Sequence, residues 1–291
     1  MVRLYAVPGL AGSGVDELDR DPEPVPALRP AILEAIEAMR TRYFDSITLS
    51  ALSSEVFVSP FHFSRIFTRA TGVTPGRYLT AVRLFEAKRL LLTTSLTVSD
   101  VVCSVGYSSV GTFTSRFSRA VGLTPTQYRE PEVGELLVAL APNFRRLPPL
   151  SQLRAAGRAC GSVNAGNGTI RTRVEFPRGA APANLLIGVF ADPVPQCGPV
   201  AFSGKVLTGS TDLEINGVPD GEWTVIAVAE HPGAAPAQRF TVAMLRQPIR
   251  VNANRPVYLP LVMRTPQPID PPIAITLATR PTLIGGRQLA A

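Results

Sequence analysis

Two stretches of this chain repeat each other fifty residues apart. Residues 63–79 read FSRIFTRATGVTPGRYL and residues 113–129 read FTSRFSRAVGLTPTQYR. Phe63, Phe67, Arg69, Ala70, Gly72, Thr74, Pro75 and Tyr78 recur as Phe113, Phe117, Arg119, Ala120, Gly122, Thr124, Pro125 and Tyr128. Self-similarity of this kind restricts the region to folds made from two copies of one supersecondary unit.

The unit can be read from its residues. Phenylalanines four apart lie on one face of a helix and point into a core. Gly72 and Gly122 follow the last helical turn, where glycine enters the left-handed conformation at low cost. Thr74-Pro75 and Thr124-Pro125 restart a helix, with Thr as N-cap and Pro at the first helical position. Before each unit lies another short amphipathic segment, led by Leu49 and Leu52 in the first and by Val98, Val101 and Val105 in the second. Two short helices joined by a tight turn form a helix-turn-helix, so two are expected. Residues 76–93 predict a long helix connecting them, and residues 31–44 an amphipathic first helix that buries Ile32, Ile36 and Met39.

The residues at this point carry a resemblance. VSDVVCSVGYSSVGTFTSRFSRAVGLTPTQYR resembles the end of the DNA-binding domain of AraC/XylS-type regulators. It has the Gly-aromatic turn (Gly106, Tyr107), Phe113 and Phe117, the basic Arg119, and the ending Gly122, Pro125, Tyr128, Arg129. Arg83, Ala87, Leu90 and Leu91 match in the connecting helix. The resemblance spans residues 29–130. Ser53 and Val102 replace the usual small Ala, and Phe57 stands where Gly is common. The resemblance implies sequence-specific binding of double-stranded DNA in two adjacent major-groove segments. With the phenylalanines turned inward, the residues left to face DNA are Ser59, Pro60, Phe61, Ser64, Arg65, Thr68 and Arg69 in the first unit. In the second they are Ser109, Val110, Gly111, Thr114, Ser115, Arg116, Ser118 and Arg119. Arg65 has the reach for a guanine's O6 and N7, and Phe61 for a thymine methyl. The second set holds only short side chains in its central positions, and Arg116 and Arg119 are expected at phosphates. The first helix is therefore expected to discriminate bases and the second to position the protein.

Beyond residue 130 the sequence changes character. Residues 1–28 read as a disordered arm and residues 131–160 as a linker in which Leu136 to Ala141 makes a brief helix. After residue 160 the apolar runs become short and β-branched, with Gly, Pro, Asn or Asp between them: TIRTRVEF, NLLIGVF, VAFSGKVL, TDLEI, EWTVIAVAE, RFTVAML, PIRVN, VYLPLVM and IAITLA. Their spacing predicts an all-β sandwich over residues 161–291. The fold class is thus an all-α double helix-turn-helix domain followed by an all-β sandwich, with each half expected to fold alone. Residues Leu213 to Val228 resemble a hairpin of transthyretin-like and carboxypeptidase-regulatory-like sandwiches, with Trp223 in the aromatic position. That resemblance implies a fold and no activity.

Composition sets the remaining bounds. The net charge of +7 suits a polyanionic partner. All but Lys88 and Lys205 of the 29 basic residues are arginine, as the codon bias of a GC-rich genome gives. No apolar run is long enough to span a membrane, and the N-terminus lacks a signal-peptide core, so a cytoplasmic, bacterial regulator is expected. Cys103, Cys160 and Cys197 have no metal spacing, and Cys103 is expected to be buried. His62 and His231 have no partners at spacings that name a mechanism; His62 is expected near packing or phosphate and His231 in solvent. Gly166-Asn167-Gly168 is a turn and not a nucleotide loop. No enzyme and no cofactor are implied. RNA polymerase, a second copy of the chain and a small-molecule effector of the sandwich stay open as partners. An adaptor with vestigial DNA binding is the competing reading.

Overall fold

The computed structural model describes residues 29–149, 151–152, 166–180, 182–245, 247–253 and 255–277. The N-terminal arm and Cys160 lie outside the described residues. Eight helices open the described chain: α1 (Arg29–Thr41), α2 (Leu49–Glu55), α3 (Pro60–Thr71), α4 (Pro75–Thr93), α5 (Val98–Ser104), α6 (Val110–Val121), α7 (Pro125–Tyr128) and α8 (Pro131–Glu135). Their starts are the ones the sequence marks. Thr48, Thr74, Thr97, Ser109 and Thr124 each accept a backbone N–H with the side-chain oxygen. Thr97 with Asp100 and Thr124 with Gln127 close capping boxes. Both hydrogen bonds from Thr97 hold the Asp100 carboxyl below its ordinary range. Gly72 and Gly122 end α3 and α6 at φ 80 and 83.

From Ala81 to Leu92 no residue of helix α4 is fully exposed. Tyr78, Leu79, Ala81, Val82, Leu84, Phe85, Ala87, Lys88 and Leu91 are all buried, so it runs between other elements and not over a surface. Its first half packs with α1, α2 and α3. Leu84, Ala87 and Leu91 join a second core with α5, α6, α7 and part of the C-terminal half.

Eleven strands follow in the described residues: β1 (Leu137–Ala141), β2 (Phe144–Arg146), β3 (Gly168–Glu175), β4 (Ala183–Phe190), β5 (Ala201–Leu207), β6 (Thr211–Val218), β7 (Gly221–Glu230), β8 (Phe240–Met244), β9 (Ile249–Val251), β10 (Val257–Val262) and β11 (Ile273–Thr276). Each β-run read from the sequence is a strand. They form three sheets, ordered β11-β1-β2, β10-β3-β6 and β5-β4-β7-β8, with β9 paired to β7. Pairing is antiparallel except between β3 and β10.

The alternation of strand side chains explains the layering. On β4 and β7, Leu185, Ile187, Val189, Val225, Ala227 and Ala229 point towards Ile170, Val174, Leu213 and Ile215 of the β3 and β6 sheet. Their neighbours Leu186, Phe190, Ile226 and Val228 point the other way, into a core shared with Val138, Ile273, Ile275 and the helices. Strands buried on both faces read as unbroken apolar runs, as NLLIGVF and TVIAVA do.

Five expectations are corrected. The expected linker holds α8, β1 and β2, and Leu137–Ala141 is a strand instead of a helix. LVALA has no helical stripe, and β11 supplies its backbone partners through Leu137–Thr276 to Leu140–Ile273 pairing. Strands β6 and β7 are not a hairpin of one sheet. The Pro219-Asp220-Gly221 turn carries the chain from one sheet to the next, and Trp223 Nε1 donates to the Pro219 carbonyl at 2.7 Å. His231 is buried at 1% exposure, its ring edge-on to Phe176 and its Nε2 2.9 Å from Thr241 Oγ1. Cys103 is exposed, because the inward face of α5 is Val101 and Val102.

The halves also share buried polar contacts. The repeated tyrosines both reach the C-terminal half: Tyr78 donates to the Asp270 carbonyl at 3.0 Å, and Tyr128 lies 2.7 Å from Thr276 Oγ1. Arg40 donates to both Tyr78 Oη and the Asp270 carbonyl. Between them Lys88 Nζ donates to the carbonyls of Gln196 at 2.8 Å and Ala274 at 2.6 Å, and to Gln196 Oε1 at 3.0 Å. Burial pushes this amine down to about 7. The phenols of Tyr78 and Tyr128 are pushed well up, again by burial.

Candidate nucleic-acid interface

The repeat fixes which faces are free. Phe63 and Phe67 stack with Tyr78 at centroid distances of 5.6 and 5.5 Å along the series. Phe113, Phe117 and Tyr128 repeat it at 5.4 and 5.4 Å. All six rings are fully buried. With that side of each helix consumed, the opposite side of α3 presents Phe61, Ser64, Arg65, Thr68 and Arg69, which together line one shallow concavity. Phe61 is 77% exposed. Ser59 and Pro60 open the helix and are exposed; Ser59 makes no side-chain cap hydrogen bond. His62 is exposed beside them.

On α6, Val110, Gly111, Ser115, Arg116 and Arg119 are exposed, and Thr114 and Ser118 are half-buried. Ser109 is occupied as the cap, accepting from Thr112 N at 3.3 Å. Both sets read from the sequence therefore lie on outward helix faces. No hydrogen bond or ion pair engages Arg65, Arg116 or Arg119 among the described residues.

Other arginines are consumed by the fold. Arg83 donates to the carbonyls of Tyr43 and Asp45, both at 2.7 Å, and lies over the Tyr107 ring. Burial lowers its pKa from the ordinary value. Arg129 donates to the carbonyls of Thr94 and Leu96. Arg77 pairs with Asp192, and Arg42 with Glu55. Guanidinium groups left unpaired on exposed helix faces are what a polyanion can use at little desolvation cost.

The turns differ between units. Val56 and Val105 end α2 and α5 with similar dihedrals, φ −100, ψ 11 and φ −109, ψ 18. The next residue is left-handed in both: Phe57 at φ 56 and Gly106 at φ 75. A Cβ at Gly106 would lie 2.8 Å from the Phe44 carbonyl oxygen and 2.9 Å from that of Tyr43, so only glycine fits. Phe57 faces open space at 97% exposure and accepts a conformation costing about 1–2 kcal/mol for a residue with a Cβ. Phe57 departs from the family pattern and lies outside the interface residues expected from the sequence.

A helix-turn-helix domain family model matches residues 52–131. The lactose operon transcription activator of Staphylococcus xylosus is 30% identical over 34% of this chain and 35% of its own length. The probable transcription factor PqrA of Proteus vulgaris is 31% identical over 34% of this chain and 80% of its own. Among solved structures, the C-terminal domain of the two-component response regulator yesN from Fusobacterium nucleatum is 34% identical, covering 36% of this chain and 99% of that one with a TM-score of 0.33. The chain spans about a third of the length of the lactose operon activator and of several other curated relatives. It belongs to the AraC/XylS family of transcription regulators. No helix among the described residues is long and apolar enough to cross a membrane.

Proposed function

We propose that this chain is a cytoplasmic, sequence-specific DNA-binding transcription regulator and not an enzyme. Helices α2/α3 and α5/α6 form a double helix-turn-helix, and α3 and α6 enter two adjacent major-groove segments. The observation that carries the reading is the pair of outward faces bearing the unengaged Arg65, Arg116 and Arg119, on helices whose inward faces are fixed by the same aromatic series. The C-terminal half contacts Arg40, Tyr78, Lys88 and Tyr128 and leaves those outward faces exposed.

Helix α4 has 19 residues, so the strut between the units is about 28 Å long at ~1.5 Å per residue. Successive major-groove faces recur about every 34 Å. One monomer should then protect about two turns of duplex and bend it. The β-rich half is read as a sandwich serving sensing, dimerisation or partner contact.

The test is titration of the full chain against a duplex selected from a random pool and against an unselected duplex, at two salt concentrations. Arg119→Ala should weaken both and lower the salt slope by about one unit. Equal affinity for the two duplexes would refute sequence-specific recognition.

A further inference from the structure

We propose that Phe57 is a DNA-contacting residue, its ring resting on the apolar surface at the edge of the groove that α3 enters. The inference rests on the DNA-binding reading above and adds a contact to it. Phe57 is the one residue other than glycine with positive φ among the described residues. The second unit supplies its control: the same turn is closed there by Gly106, the residue that suits the conformation. At Gly106 the carbonyls of Tyr43 and Phe44 exclude any side chain, so that turn has no choice. At Phe57 a side chain is possible, and the one present is large, apolar and 97% exposed.

Among the described residues nothing offsets this arrangement. A ring so exposed gains little burial, and its backbone carries strain that glycine would remove. Strain that the fold does not use is a pointer to function. The position gives the function its direction. Phe57 stands two residues before Ser59, the N-cap of α3, while half-buried Val58 turns inward. Another exposed phenyl, Phe61, follows on the first turn of α3, ahead of Arg65 and Arg69 on the same outward side. Two rings at the start of a helix with cationic groups behind them complement a duplex, which offers phosphate and deoxyribose along its strands and thymine methyl groups in the major groove. Apolar side chains are used against both kinds of surface.

The experiment compares full-length wild type with Phe57→Gly, Phe57→Asn and Phe57→Tyr, on a duplex selected with the wild type. Phe57→Gly should raise Tm by about 2–4 °C and weaken binding by about 3- to 10-fold. Phe57→Asn, which also tolerates the left-handed region, should weaken binding similarly. Phe57→Tyr keeps the ring and should bind within about twofold of wild type. Replacing thymine by deoxyuracil in the duplex separates the two apolar surfaces. Loss of the difference between wild type and Phe57→Gly assigns the contact to a thymine methyl, and persistence assigns it to deoxyribose. Unchanged affinity of Phe57→Gly, with wild type binding normally, overturns the role of Phe57 alone. Absence of any duplex binding by the wild type overturns both this inference and the reading it rests on.

Discussion

The turn between α2 and α3 is closed by a strained, exposed phenylalanine, and the turn between α5 and α6 by a glycine pressed against two carbonyls. The contrast continues on either side. Helix α5 starts in a full capping box, α2 with a single Thr48 bond. Ser109 caps α6 with its hydroxyl, while Ser59 leaves its own unused. The outward side of α3 carries Phe61, Arg65 and Arg69; that of α6 carries Val110, Thr114 and Ser115 with Arg116 and Arg119. The helix starts of the second unit are the more completely capped, and the first unit exposes the phenyl rings of Phe57 and Phe61. Under the proposed function, the first copy would serve recognition and the second anchoring.

The cores divide in the same sense. The first unit packs chiefly with α1, with Val194 and Ile269 added from the C-terminal half. The second is continuous with β1, β4, β7, β8 and β11. The largest effect should therefore come from Ile275, buried in that shared core. Ile275→Ala should cost about 2–5 kcal/mol, and hydrogen exchange should rise in α5 and α6 more than in α2 and α3. A uniform rise across both units would remove the distinction.

Lys88 gives a test through pH. Its amine has a folded value of about 7 against an ordinary 10.5. Below pH 7 both folded and unfolded chains carry the proton, and the cost of the buried charge is present in full. Between the two values the unfolded chain holds the proton and the folded chain has shed it, so stability rises with pH. Lys88→Met should lose about 2 kcal/mol of the gain between pH 7 and pH 9, measured by denaturant titration. An identical pH slope in wild type and variant would show that Lys88 does not titrate in this window.

Smaller still is the difference between the two caps. Ser109→Ala should destabilise by about 0.5–2 kcal/mol, whereas Ser59→Ala should stay within about 0.5 kcal/mol. Thermal melts of the two variants decide it, and equal losses would erase the local asymmetry between the units.

Much of this was legible in the sequence because local signals and tertiary packing agree there. Phe63, Phe67, Phe113 and Phe117 sit four apart and are buried; Thr-Pro and Gly mark the ends they were read to mark. The outward residues follow from the inward ones by helical geometry alone. What escaped was long-range. LVALA becomes a strand only because IAIT arrives from the far end of the chain to pair with it. His231 is buried because Phe176 and Thr241, distant in sequence, close over it. The core shared by the two halves was hidden for the same reason: the apolar side of α4 and the outer faces of β4 and β7 cannot be matched to each other by periodicity. Phe57 was visible as a departure, but its significance needed the backbone angle and the exposure.

The most direct measurement is a base-by-base substitution scan of a selected site against the full-length chain, with Arg65→Ala as companion. We expect substitutions beneath α3 to cost about 1–3 kcal/mol each and those beneath α6 distinctly less. Arg65→Ala should abolish the sensitivity at one position under α3 and leave the α6 half unchanged. Greater sensitivity beneath α6, or an Arg65→Ala loss shared equally by every sequence, would contradict the division of labour between the two units.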